Sequence, residues 1–283
     1  MKNMHTKRNA FYKKKVGLTV KHILLLIFAL STLFPFFWVA ISSFKSTAEI
    51  YGKPLAWPDR LSLDNYKQAW YGAFIGDSLI NSVLYTVTAV VIILVIASMV
   101  SYIIARSKNG KYLYRYFSFG IMVPLHTVII PLNILYKKLG IGNTQFGLVL
   151  AFVVANLSFC IFIIAAFMRQ MPKDIEEAAV IDGCNRVQVF AKVVLPICRS
   201  ALATAATLVF INCWNDLLLS MTIISKPTLN TLNYSVYNLK GQYVTDYGII
   251  TAGVVILVIP ALIAYLLFQE QIIKGMTSGS VKG

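Results

Sequence analysis

Charge is scarce in this sequence. Asp, Glu, Lys and Arg supply 13% of its 283 residues, about half of the ~25% usual in a soluble domain. With 58% hydrophobic residues and a mean hydropathy of +0.70, that deficit excludes a water-soluble globular enzyme and a disordered chain. Acidic residues are scarcest, 11 against 26 basic ones. The resulting net charge of +15 does not mark a nucleic-acid binder, because the basic residues sit in short stretches between apolar blocks. The four cysteines, Cys160, Cys184, Cys198 and Cys213, show no CxxC or other ligand spacing. They are read as reduced thiols without a disulfide framework. Three histidines (His5, His22, His126) are too few and too scattered for a metal site. No GxxxxGK[ST], HExxH or GxSxG occurs, and Gly140-Ile-Gly142 lacks the third glycine of a dinucleotide fingerprint. The chain is therefore expected not to be an enzyme, and to hold no cofactor of its own.

Six long apolar blocks are present, at about 23–44, 79–105, 116–136, 146–168, 200–224 and 249–268. Each is long enough for the ~20 helical residues that cross a hydrocarbon core. Five of the six contain no Asp, Glu, Lys or Arg. They do not alternate as barrel strands do. The expected fold is all-α, a polytopic membrane protein of six transmembrane helices. A basic tail at 1–22 precedes the membrane domain at 23–268, and a second tail follows at 269–283. The first block is read as an uncleaved span, because it is too long for an ordinary signal-peptide core and no clear A-x-A site follows it.

Lys and Arg give the orientation. With the N-terminus cytoplasmic, eighteen fall on the cytoplasmic side: seven in the N-terminal tail, four between spans two and three, five between spans four and five, and two in the C-terminal tail. Eight fall on the other side: Lys45, Lys53, Arg60, Lys67, Lys137, Lys138, Lys226 and Lys240. Both termini are expected in the cytoplasm, with 45–78, 137–145 and 225–248 outside.

Three loops exceed what a hairpin needs. In 45–78, the stretch 61–70 reads as a short interfacial helix. The loop 225–248 is polar and Tyr-rich. The third, 169–199, carries helix signals. Pro172 and Asp174 mark a start, Asp174 and Glu177 have capping-box spacing, and 175–182 makes two turns. Gly183 suits a left-handed stop. A second helix runs to about Val194, and Pro196 begins the next span. Ala178-Ala179 offers a low surface for a protein partner; the alternative is a surface hairpin that merely joins two spans.

Glu177-Ala178-Ala179, then Gly183, Val193 and Leu195-Pro196, form a pattern that resembles the permease subunits of bacterial binding-protein-dependent ABC importers. Their hallmark is Glu-Ala-Ala, three residues, Gly, nine residues, a branched aliphatic residue, any residue, Leu-Pro. Val193 stands where that family more often has Ile. Phe34-Pro35, Phe44-Lys45, Asn65-Tyr66, Asn81-Ser82, Trp214-Asn215-Asp216 and the ending from Gly275 extend the resemblance to the maltose-type carbohydrate branch. The resemblance implies a multi-pass subunit of a bacterial cell membrane, half of a permease heterodimer for sugar import. Implied partners are a second permease subunit, a cytoplasmic ABC ATPase dimer holding the ATP and Mg, an extracytoplasmic solute-binding protein and a carbohydrate substrate. It also implies that Glu176, Glu177, Ala178, Ala179, Asp182, Gly183, Leu195 and Pro196 form the ATPase-docking, coupling segment.

Other candidates are open between two readings. Asp216 is the only acid inside a block. It belongs to a gate or substrate path with Asn215, or it serves structure. His126, between Pro124 and Pro131, is a ligand or a structural hydrogen-bonder. Tyr234, Tyr237 and Tyr243 meet the binding protein, or 225–248 only caps the bundle; on the first reading, shortening 232–241 leaves ATPase assembly intact. The alternative function is a secondary active transporter of small polar solutes. Such proteins often carry internal repeats and intramembrane charge relays, and neither is evident here.

Overall fold

Hydrocarbon offers backbone groups no partner, so each apolar block satisfies its own by coiling. The computed structural model describes the backbone of residues 2–241 and 245–278, and the side chains of 18–241 and 245–270. In chain order the helices are α1 (Lys2–Ser42), α2 (Thr47–Gly52), α3 (Asp64–Gly72), α4 (Ile75–Arg106), α5 (Gly110–Met122), α6 (Leu125–Lys138) and α7 (Gln145–Gln170). Then follow α8 (Asp174–Ile181), α9 (Arg186–Val189), a π turn (Phe190–Val194), α10 (Leu195–Ile197), α11 (Arg199–Trp214), α12 (Leu218–Ile223), α13 (Leu232–Asn238) and α14 (Tyr247–Ser278). No strand occurs among the described residues.

The centre of the bundle is the parallel pair α4 and α7, in register from Ser101 beside Ile161 to Arg106 beside Met171. On α4, Tyr85, Ala89, Ile93, Ala97 and Ile104 recur at helical spacing and are buried against Phe152, Cys160, Ile161, Ile164 and Met168 of α7. Lipid is as apolar as leucine, so association rests on close packing rather than on escape from water. Ala89, Ala97 and Ser101 provide that close approach, and the Ser101 hydroxyl donates across the pair to Ile161 O at 3.3 Å. The outward face of α4, from Ile80 through Val91 to Met99, stays exposed, as does nearly all of α1 from Leu18 to Phe37.

Four helices, 18–42, 75–106, 145–170 and 247–270, are long and apolar enough to cross a membrane; two bent pairs bring the number to six. Three differences from the expected blocks matter. The third block is sharply bent: α5 and α6 meet at 93°. Pro124 cannot donate, and it drives Val123 to an extended ψ of 113°. The fifth block is also interrupted, because Asp216 draws the backbone out of helix beyond Trp214. Finally, both expected tails are helical where described, from Lys2 at one end and to Ser278 at the other.

The 42–74 segment is built on a buried cation. Lys45 is 1% exposed, and its Nζ donates to the carbonyls of Lys53 (3.1 Å) and Pro54 (3.2 Å). Asn65 Nδ2 donates to Ser43 O and Lys45 O, both at 2.9 Å. Ser46 and Glu49 form a capping box on α2. Glu49 accepts the Ser46 backbone N–H, the Ser46 hydroxyl and the Asp59 N–H, which hold its carboxyl below the ordinary carboxylate range. With the native value depressed, the cap is intact above the ordinary range and is lost as pH falls through the lowered one. Protection factors of the amides in 47–52 should fall as pH drops from the ordinary carboxylate range through the lowered one.

α14 packs onto this segment at Gly248, where an added Cβ would lie 2.3 Å from Lys45 O and 2.8 Å from Asn65 Nδ2. Gly248→Ala should therefore destabilise the folded chain by about 1–3 kcal/mol. A thermal-shift assay in detergent checks this, and an unchanged midpoint would contradict the contact.

Candidate functional site: the 171–199 hairpin and the opposite end of α4

The expected two-helix hairpin is present, with its cap in a different place. Asp174 is the first helical residue rather than the cap, and Lys173 precedes it without a side-chain bond. The capping box belongs to the second helix. Asn185 Oδ1 accepts Gln188 N–H and Gln188 Oε1 accepts Asn185 N–H, both at 2.9 Å. Gly183 has φ +87°. Its N–H reaches Val180 O, and that of Cys184 reaches Ala179 O, both at 3.0 Å. This is a Schellman stop, which needs the left-handed residue that glycine supplies. Pro196 does not begin the next span. It sits in α10 behind the π turn, where Leu195 N–H bonds Phe190 O; the wider turn relieves the clash a proline makes with the carbonyl four residues back. α11 starts at Arg199 after a 73° bend.

The adjacent glutamates face opposite ways. Glu177 is exposed, so it is available to a partner, together with Ala178, Asp182, Ile181 (85% exposed) and Val187 (74% exposed). Ala179 and Leu195 are half-buried; Gly183 and Pro196 are exposed. Glu176 is turned inward, onto α4, beneath the groove that it lines with Glu177. Its Oε1 accepts Arg106 Nε at 2.6 Å and Nη2 of the same fork. Its Oε2 accepts the Tyr102 hydroxyl at 3.1 Å. Arg106 Nη2 also donates to Met171 O at 3.2 Å, and the Tyr102 ring packs on Phe190 at 5.2 Å between centroids. A groove of about 750 Å³ opens over this cluster, with Val180, Ile181 and Arg186 on its walls.

Burial decides what these contacts are worth. The exposed pairs Lys53–Asp59 and Lys67–Asp64 contribute about 0–1 kcal/mol each. The Arg106–Glu176 side chains are 16% and 11% exposed, and stripping one partner from a buried pair costs about 3–5 kcal/mol. In the sequence Arg106 stands out only as a topological charge, and Tyr102 does not stand out at all. The available signal was a basic residue one helical turn beyond a tyrosine, at the mouth of an apolar run.

At the other end of α4 the 225–248 loop is not a free connector. Asn81 Nδ2 donates to Thr228 O (2.9 Å) and Asn230 O (3.2 Å). Leu232 N–H donates to Ser82 Oγ at 2.7 Å, and Ser78 and Ser235 share a hydrogen bond of 2.6 Å. Leu232 is 1% exposed, so shortening 232–241 would cut into the bundle itself. Tyr234 is half-buried and Tyr237 is 49% exposed; Tyr243 lies outside the described residues.

Asp216 serves structure first. It caps α12, accepting the N–H of Leu219 (3.3 Å) and of Ser220 (3.1 Å) and the Ser220 hydroxyl (3.2 Å). Asn215 and His126 are exposed. Among the described residues no hydrogen bond or ion pair joins His126 to Asn215 or Asp216, so these three are not assembled into one site within this chain. No group of His, Cys, Asp and Glu suited to a metal occurs among the described residues either.

Residues 98–278 match the family described as binding-protein-dependent transport system inner membrane component. Along 93% of its length the chain is 33% identical to the diacetylchitobiose uptake system permease protein of Streptomyces coelicolor, covering 88% of that protein. It is 32% identical to the sulfoquinovosyl glycerol transport system permease protein of Agrobacterium fabrum, over 94% of this chain and 95% of the relative. A chain in the crystal structure of a bacterial ABC transporter involved in alginate import shares the fold, with a TM-score of 0.79 and 23% identity over 90% of this chain and 96% of that one.

Proposed function

We propose, since this chain belongs to the family of binding-protein-dependent transport system inner membrane components, that its 171–199 hairpin docks a separate ATPase and so drives sugar through the membrane. The chain is a membrane permease subunit of a carbohydrate ABC importer and not an enzyme. ATP and Mg belong to the ATPase dimer. This chain supplies half of a translocation path, which a second permease subunit, a different chain, completes. An extracytoplasmic solute-binding protein delivers the cargo. The relatives' names point to oligosaccharide or glycoside cargo, and a carbohydrate is the substrate class proposed here.

The observation that carries the reading is the hairpin's division of labour. One face, with Glu177, Ala178, Ile181 and Val187, is open, while Glu176 ties the other face to α4. An apolar, low surface held rigidly against a span is what a docking element needs. Purification of the tagged chain from its native membrane should bring down an ATPase and a second permease. Recovery of the chain alone, with intact uptake, would instead support the secondary transporter.

The same reading places both termini and the hairpin in the cytoplasm, supported by the eighteen-to-eight distribution of Lys and Arg. A cysteine at Asp182 should then react with a membrane-impermeant maleimide only in inside-out vesicles, and a cysteine at Trp57 only in right-side-out ones. The reverse pattern would overturn the orientation.

A further inference from the structure

We propose that α4 is a transmission rod, and that Arg106 and Glu176 are the positioning residues that lock it to the hairpin. The inference rests on the docking reading above. α4 is one unbroken helix of 32 residues, about 48 Å long, without proline or an internal break. Each end grips a different functional segment.

At the hairpin end, Glu176 spends both carboxylate oxygens on α4: one on the Arg106 fork, the other on Tyr102. Tyr102 and Arg106 lie one helical turn apart, so they hold α8 at two points on one face. Tyr102 also packs on Phe190, and Arg106 reaches back to Met171 O. The α4 terminus is thereby joined to both arms of the hairpin and to the end of α7. A planar guanidinium fork on a carboxylate resists rotation as well as separation.

At the opposite end, Asn81 and Ser82 hold residues 228, 230 and 232, and Ser78 holds Ser235. Those bonds fix the segment that presents the exposed Tyr237. A displacement of the hairpin by the ATPase is therefore delivered along α4 to the 227–238 insert, rather than through α11 alone. α11 is the weaker conduit, being set off from the hairpin by the 73° bend at Cys198 and ending at Trp214.

The test uses the full transporter in proteoliposomes, with a spin or fluorescent label on a cysteine replacing Tyr237. In the parent complex, adding ATP at the cytoplasmic side should change the label's signal. Glu176→Gln keeps the shape and removes the charge; Arg106→Lys keeps the charge and removes the fork. Each should retain bound ATPase, yet lose most of the label response and at least tenfold of binding-protein-stimulated uptake. The exchange Arg106→Glu with Glu176→Arg should recover part of both. Retained ATPase with a full label response in both single variants would overturn the rod while leaving the docking reading standing. Absence of ATPase from the parent complex would overturn both.

Discussion

Gly183→Pro is expected to abolish transport in a chain that still inserts in the membrane. The native φ is +87°, whereas proline holds φ near −65° and lacks the N–H that bonds Val180 O. Forcing the native turn costs about 3 kcal/mol or more, which depopulates the folded hairpin roughly a hundredfold. The helices of the bundle do not depend on that turn, so expression and span topology should persist. The useful companion is Glu177→Lys. Glu177 is exposed in the first turn of α8, where reversing its charge costs only about 0.3–1 kcal/mol against the helix dipole. Folding should survive it, and ATPase retention should fall if this side chain faces the partner. Uptake and co-purified ATPase, measured together for both variants, separate a broken hairpin from a repelled partner. Full substrate-stimulated uptake in both would remove the hairpin from the mechanism.

Asn81→Leu combined with Ser82→Ala should produce the second large effect, at the far end of α4. The pair of changes removes the donor to Thr228 O and Asn230 O and the acceptor of Leu232 N–H. Each buried group left without a partner costs about 1–3 kcal/mol, so the insert loses its seat while α4 keeps its apolar packing on α7. Residues 226–241 should become the first site of limited proteolysis, and stimulation by the loaded binding protein should drop sharply. Bound ATPase should be unaffected, because the hairpin lies at the other end. An unchanged digestion pattern and unchanged stimulation would show that these hydrogen bonds do not hold the insert.

Legibility in the sequence follows the range of the interactions. Local signals carry far: apolar runs give α4, α7 and the start of α14 within a few residues, while α14 continues ten residues beyond the expected end, and Gly183 sits at the left-handed turn its spacing implies. The Glu-Ala-Ala to Leu-Pro spacing pointed to the family through seven residues. Hydropathy, however, is blind to one polar dipeptide in an apolar run, and so Asn215-Asp216 was absorbed into a continuous fifth span, although the Asp216 carboxylate competes for the backbone and starts a new helix. Pro124 announced an opened helix but not a right-angle bend, since the angle is set by what α6 meets, including the Asn133 contact with Thr222 O. Glu176 was read as a docking residue because it adjoins the motif. Only the partner 70 residues away decides that it points inward, and no periodicity within α8 records that. The insert's polar residues carry no helical pattern in the sequence, because their partners are on α4.

On the docking mechanism this chain moves sugar only when a separate ATPase acts on its hairpin. The most direct test is uptake of labelled oligosaccharide by proteoliposomes containing the purified complex, with ATP enclosed and ion gradients collapsed. The account predicts uptake that requires both ATP and the loaded binding protein, and that disappears with Gly183→Pro. Uptake that proceeds without ATP and follows an imposed ion gradient would contradict it.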